Sequence, residues 1–109
     1  MAPALVAWTL PAREDLLRAI EYLVEKSPAA AEKLLNQLEE AAASLAQAPE
    51  SGRIVPELGP PRRELIVDHY RLVYRVQGSE VQILPVIHGK QDFLRTWKSL
   101  KSTFRFNFF

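Results

Sequence analysis

HYRLVYRV, residues His69 to Val76, has an alternation that decides the fold. In a β-strand successive side chains point to opposite faces. Tyr70, Leu72, Tyr74 and Val76 therefore share one face, and Arg71, Val73 and Arg75 share the other. The aromatic and aliphatic face requires a core. The arginine face is either solvated or meets something negative. The strand thus predicts a sheet covered by helices on one side, with Arg71 and Arg75 looking out from the other.

Two further strand-like runs flank it, Arg63–Val67 before and Val81–Ile87 after, separated by DH and QGSE. Links this short imply an antiparallel meander, with Gly78 freeing the second turn. Pro85 cannot donate a ladder hydrogen bond, so the last strand is either bulged there or leaves that position without a partner. Upstream, PESGR and ELGPPR are loop chemistry around a short extended piece, Ile54-Val55. Before these lie two helical patterns. Leu16, Ile20 and Leu23, widened by Leu17 and Val24, form the first stripe; Ala31, Leu34, Leu35, Leu38, Ala42 and Leu45 form the second. Ser27-Pro28 reads as an N-cap followed by Pro at N1, and Pro49 closes the second helix at about Gln47. So short a link predicts an antiparallel helical hairpin. Ala4–Trp8 is a first strand, and Thr9 and Pro11 start the first helix.

The order is β-α-α-β-β-β, an α+β fold in which an antiparallel sheet carries the helical hairpin on one face. A last segment, FLRTWKSLKS, forms either a helix or a strand. Residues 1–97 read as a single domain and 98–109 as a tail with no assigned role. That tail holds four of the five phenylalanines, and Phe104, Phe106 and Phe108 alternate at strand spacing.

Composition narrows the function classes. The 109 residues contain no cysteine, which excludes disulfides and thiolate metal sites, and two histidines are too few for a His-based zinc centre. No apolar run reaches the roughly 18–20 residues of a membrane span, and the N-terminus lacks the pattern of a signal peptide. A cytoplasmic protein is expected. Net charge is +1, but it is unevenly spread. Residues 1–52 hold 4 Lys/Arg against 8 Asp/Glu, and residues 53–109 hold 10 against 5. A basic C-terminal half fits nucleic acid or an acidic protein, and equally a solvated charge mix.

The pieces VAWTLPAREDL, SPAAAEKLLNQL, PESGR, RREL, YRLVYRV and VIHGKQDF, in this order, resemble a RelE/ParE-type toxin of a bacterial toxin–antitoxin pair, from about Val6 to Phe93. The resemblance implies a cytoplasmic toxin with no cofactor, assembled into a hetero-oligomer with a cognate antitoxin. ParE-like members inhibit DNA gyrase and stabilise plasmids; RelE-like members cleave mRNA in the ribosome. Metal-free RNA cleavage needs groups that activate the 2′-OH, stabilise the phosphorane and protonate the leaving oxygen. Arg71 falls on the strand arginine of the RelE-like set. However, Gln91 stands where those enzymes carry an arginine, and Trp97 is the nearest counterpart of their terminal tyrosine. An indole N–H is a donor only. Arg62 and Arg63 stand where lysines are usual, and arginine is a poor proton shuttle.

The ParE-like, non-enzymatic reading is therefore favoured. Arg53, Arg63, Arg71, Arg75, His88 and Lys90 are its candidate residues for binding the antitoxin or target. The alternative is a ribosome-dependent endoribonuclease with Arg71, His88 and Lys90 as the catalytic group, because an imidazole titrates near neutrality. A third reading is a non-toxic homologue that only binds an antitoxin.

Overall fold

The computed structural model describes residues 3–89 and 91–104, with side chains described as far as Lys98. The elements run β1 (Leu5–Trp8), α1 (Leu10–Lys26), α2 (Pro28–Ser44), β2 (Arg53–Ile54), β3 (Arg62–Val67), β4 (Tyr70–Gln77), β5 (Glu80–His88) and α3 (Phe93–Phe104). One five-stranded sheet has the order β1-β5-β4-β3-β2. Strands β2 to β5 form the expected antiparallel meander. The edge pair β1–β5 is parallel, which the sequence expectation did not contain. A parallel neighbour needs a long crossover. Here the helical hairpin and strands β2 to β4 lie between the two, so β1 enters beside the last strand rather than beside β2.

The alternation of β4 holds. Leu72 and Tyr74 are fully buried on the helix side, with Tyr70 and Val76 packed against the same cluster. Ala12, Leu34, Leu38, Ala42 and Leu45 meet them from α1 and α2. Each fully buried leucine contributes roughly 1.5–3 kcal/mol of apolar burial. Thr9 does not cap α1 through its side chain; its hydroxyl donates to the Ile83 carbonyl at 2.7 Å and ties the helix start to β5. Ser27 does cap α2, accepting from the Ala30 N–H. Helix α2 ends at Ser44, before Pro49, and passes through turns.

Pro85 lies in a bulge. Leu72 pairs with Val86 and Tyr74 with Ile83, so Leu84 and Pro85 together oppose Val73. The extra residue flips the phase of β5. Val81, Ile83 and Val86 face the helices, whereas Leu84 and Ile87 face the other side.

That other side is not open, contrary to the sequence expectation. Val55, Val73, Leu84, Ile87, Phe93 and Trp97 form a second small core, with Leu58 packed against it. Phe93 and Trp97 stack with ring centroids 6.1 Å apart. They lie on one face of α3, which closes over the sheet and continues past Trp97 to Phe104. Residues Phe106 and Phe108 of the aromatic tail lie outside the described residues.

Candidate functional site: an arginine–carboxylate network beside a histidine cavity

Strand register brings Arg71 and Glu64 onto the second face. Glu64 pairs with Val73 across β3–β4, and Arg53 of β2 lies opposite Glu64. The Glu64 side chain is fully buried, and both carboxylate oxygens are used. Oε1 accepts from Arg71 Nε at 2.7 Å; Oε2 accepts from Arg53 Nε and Nη2, each at 2.7 Å. A buried carboxylate requires such pairing, because desolvation would otherwise expel its charge.

The remaining prongs of Arg71 are occupied too. Nη1 and Nη2 donate to the two oxygens of Glu57 at 2.8 and 2.6 Å, a bidentate fork. The guanidinium carbon sits 4.0 Å from the Phe93 ring centroid, within cation–π range. The Arg71 side chain is only 15% exposed. Glu57's hydrogen bonds, reinforced by Glu64, push the Arg71 pKa above its ordinary value despite partial desolvation. Arg71 in turn holds the Glu57 carboxyl below the usual carboxylate range. Two arginines and two carboxylates leave the network neutral. Of the two outcomes the strand pattern left open, Arg71 meets something negative, and that group is internal.

Arg75 lies four residues along β4 from Arg71, opposite Arg62 on β3 and Gln82 on β5. It donates through Nε to Gln82 Oε1 at 2.7 Å and through Nη2 to Gln77 Oε1 at 3.2 Å. Burial, together with the neighbouring Arg62 charge, lowers its pKa. Arg62 also lies over the Trp97 ring at 5.9 Å.

Arg63, one residue along β3, projects to the opposite side. Its Nη1 donates to the Gly52 carbonyl at 2.8 Å and, more weakly, to that of Glu50. Arg63 therefore braces the approach to β2 and does not share a surface with Arg71. In the same corner the Gly52 N–H donates to the Tyr74 hydroxyl at 2.9 Å. A Cβ at Gly52 would lie 2.6 Å from the Glu64 carbonyl and 2.7 Å from the Tyr74 hydroxyl, so the backbone can pass only as glycine.

His88 ends β5 opposite Tyr70, edge-on to that ring at 5.0 Å and 6.2 Å from the His69 ring. It lines two cavities. One, of about 940 Å³, also includes Asp15, Tyr22, His69, Tyr70 and Arg95. The other, of about 260 Å³, brings His88 together with Arg71, Ile66 and Gly89. Burial, with a smaller contribution from Asp68, raises the Tyr70 phenol, which stays protonated at neutral pH. Asp15 is likewise raised by burial, although it pairs with Arg18 and accepts from the Val86 N–H at the bulge. Gln91 accepts the His88 N–H at 2.8 Å and so closes the strand end. Lys90 lies outside the described residues. Among the described residues no group of three or more His, Cys, Asp or Glu side chains could hold a metal ion. Nor is any helix there long and apolar enough to cross a membrane.

The structure therefore joins Arg53 and Arg71 through Glu64, and places Arg71 and His88 on one small cavity. It separates Arg63 from both and gives Arg75 its own amide partners. Glu57 and Phe93 were not visible as site residues in the sequence. Glu57 sits in a turn with no periodic signal.

The family model described as the ParE toxin of the type II toxin–antitoxin system parDE matches residues 6–93. Toxin RelE1 of Caulobacter vibrioides is 40% identical over 85 residues, covering 74% of this chain and 88% of the relative. Toxin RelE2 of the same organism is 35% identical over 86 residues, covering 79% and 96%. Among solved structures, the chromosomal ParDE system from P. aeruginosa gives a TM-score of 0.68 at 27% identity, covering 78% of this chain and 95% of that one. The toxin–antitoxin complex RelBE2 from Mycobacterium tuberculosis gives 0.58 at 30% identity, covering 79% and 98%.

Proposed function

We propose that this chain, which belongs to the ParE toxin family of type II toxin–antitoxin systems, acts in the cytoplasm as a non-enzymatic inhibitor of DNA gyrase and is neutralised by a cognate antitoxin. The observation that carries the proposal is that all three guanidinium nitrogens of Arg71 are paired with carboxylates. A nuclease reading needs this guanidinium free to hold a scissile phosphate, with a proton donor and acceptor nearby. Here Glu57 and Glu64 occupy its nitrogens, and Trp97, the counterpart of the terminal tyrosine, is a donor only and is buried in the second core.

An antitoxin partner is supported by two neighbours that are themselves toxin–antitoxin systems. We assign its contacts to the rim of the network: Arg53, whose side chain is 60% exposed, with Arg75 and His88; Lys90 is added from the sequence alone. Acidic partner side chains would meet these groups, and Arg63 and Arg71 would act by holding the scaffold.

The ribosome-dependent endoribonuclease is a second reading, favoured by the names of the two Caulobacter relatives and by the cavity shared between Arg71 and His88. One paired assay tests the choice. Purified protein is expected to block gyrase supercoiling and to accumulate cleaved gyrase–DNA complexes while leaving mRNA on translating ribosomes intact. Ribosomal mRNA cleavage with gyrase untouched would overturn the proposal. In that event, loss of toxicity in His88→Ala at unchanged fold would point to proton transfer.

A further inference from the structure

We propose that the outer edge of α1 is a contact between two copies of this chain, an antiparallel helix pair centred on Leu17. Three observations carry it. The first is an uncovered apolar line. Leu17 and Val24 belong by spacing to the apolar stripe of α1, yet the fold does not bury them. Leu10, Leu17 and Val24 are 61%, 58% and 47% exposed, while Leu16, Ile20 and Leu23 take the seats against the core. The three exposed residues stand seven apart, a line about 21 Å long at about 1.5 Å per residue. A lone exposed leucine is ordinary, but a row of large apolar side chains along one helix marks a contact surface. Seven-residue spacing drifts only about 20° per step around a helix, so the line runs nearly along the axis. That suits a second helix packed at a shallow angle.

The second is charge. Arg13 and Glu21 flank Leu17, one on each side of the line, and both are exposed. Neither side chain forms an ion pair with any described residue.

The third is symmetry, which selects the occupant. Leu10 and Val24 lie seven residues before and after Leu17, and Arg13 and Glu21 lie four before and after. A twofold axis at Leu17 therefore sets Leu17 against the partner's Leu17 and brings Leu10 level with the partner's Val24. The same axis brings each Arg13 level with the partner's Glu21. A parallel pair would instead set Arg13 beside the partner's Arg13 and Glu21 beside the partner's Glu21, with like charges adjacent. The surface thus matches itself in one orientation and rejects the other.

This goes beyond the functional reading. Helix α1 covers the sheet face opposite Arg53, Arg71 and Arg75, so a pair joined through α1 leaves the arginine network of each copy accessible. The gyrase assay can fail without bearing on it. The experiment is sedimentation equilibrium of the full chain over about 1 μM to 1 mM, the range in which a contact smaller than a standard interface associates. Circular dichroism checks the fold of each variant. The unmodified protein should pass from monomer to dimer across this range. Leu17→Glu should weaken the dimer about 100-fold or more, because it sets two carboxylates against each other on the axis. Arg13→Glu should weaken it about tenfold, since it turns two attractive pairs into two repulsive ones. Adding Glu21→Arg to Arg13→Glu exchanges the charges and should restore the affinity to within about threefold. A monomer at every concentration would overturn the proposal and leave the line to a different protein. A dimer that Leu17→Glu leaves intact, or a charge exchange that recovers nothing, would overturn it as well.

Discussion

Glu64→Gln is the most informative single change, because it removes one charge while preserving shape. The carboxylate is fully buried and accepts from two arginines. Breaking a buried pair by deleting one partner costs about 3–5 kcal/mol, since a charge is left without compensation. Two features reduce that here. Arg71 keeps the Glu57 fork, so it is not stranded. Arg53 has a 60% exposed side chain, so water screens its share to roughly 0–1 kcal/mol. The remaining cost is the charge-assisted bond from Arg71 Nε, worth about 1.5–3 kcal/mol. The expected loss is therefore about 2–3 kcal/mol, read as a lower urea midpoint at unchanged slope. A double-mutant cycle then apportions it. Glu64 with Arg71 should couple by more than about 1 kcal/mol, and Glu64 with Arg53 by less. A loss below about 0.5 kcal/mol, within the usual range of surface changes, would refute the view of Glu64 as the hub. Equal coupling to both arginines would refute the division between them.

Three further outcomes are expected. Gly52→Ala should cost about 2–4 kcal/mol by thermal or urea unfolding, because its Cβ meets the Glu64 backbone and the buried Tyr74 ring, both of which resist displacement. Tyr74→Phe should cost about 1–3 kcal/mol by leaving the Gly52 N–H without its acceptor, and Gly52 amide exchange should accelerate. The pH profile should respond to Glu57, whose folded pKa lies below its ordinary 4.5. Its stabilisation is fully present above that value and is lost as pH falls through the lowered folded value. Glu57→Ala should therefore flatten the acid limb of an unfolding titration, and an unchanged limb would contradict the pairing.

Much of this molecule was legible because its strands alternate cleanly. Tyr70, Leu72, Tyr74 and Val76 sort onto the helix side as their spacing requires, and of the two outcomes Pro85 allowed, the structure shows the bulge. Strand direction at the β1 edge was not legible, because no local pattern records which partner a four-residue strand will find 75 or so positions later. The second core was hidden for a related reason. Phe93 and Trp97 occur in a mixed segment, and their seat consists of Val55, Val73, Leu84 and Ile87 from three separate parts of the chain. The candidate site shows the same limit. The place of Glu64 on a strand beside that of the arginines was legible, because a short link joins the two strands. Glu57 was not, because a turn residue reaches Arg71 only once the turn has been folded over the sheet.

The parallel edge has a consequence for synthesis. Val6 pairs with Val81, so the first strand made waits for the last. Closing a loop of about 75 residues costs roughly 4 kcal/mol in chain entropy beyond its constant part, and only contacts formed at the end repay it. The Thr9–Ile83 and Asp15–Val86 bonds that fasten the first helix fall due at the same moment. A nascent chain emerging at about 5–20 residues per second thus holds its helical hairpin unfastened until β5 has left the ribosome. A translation product interrupted before β5 cannot complete the sheet, so the β1 edge and the fastening of the first helix both depend on a strand made about 75 residues later.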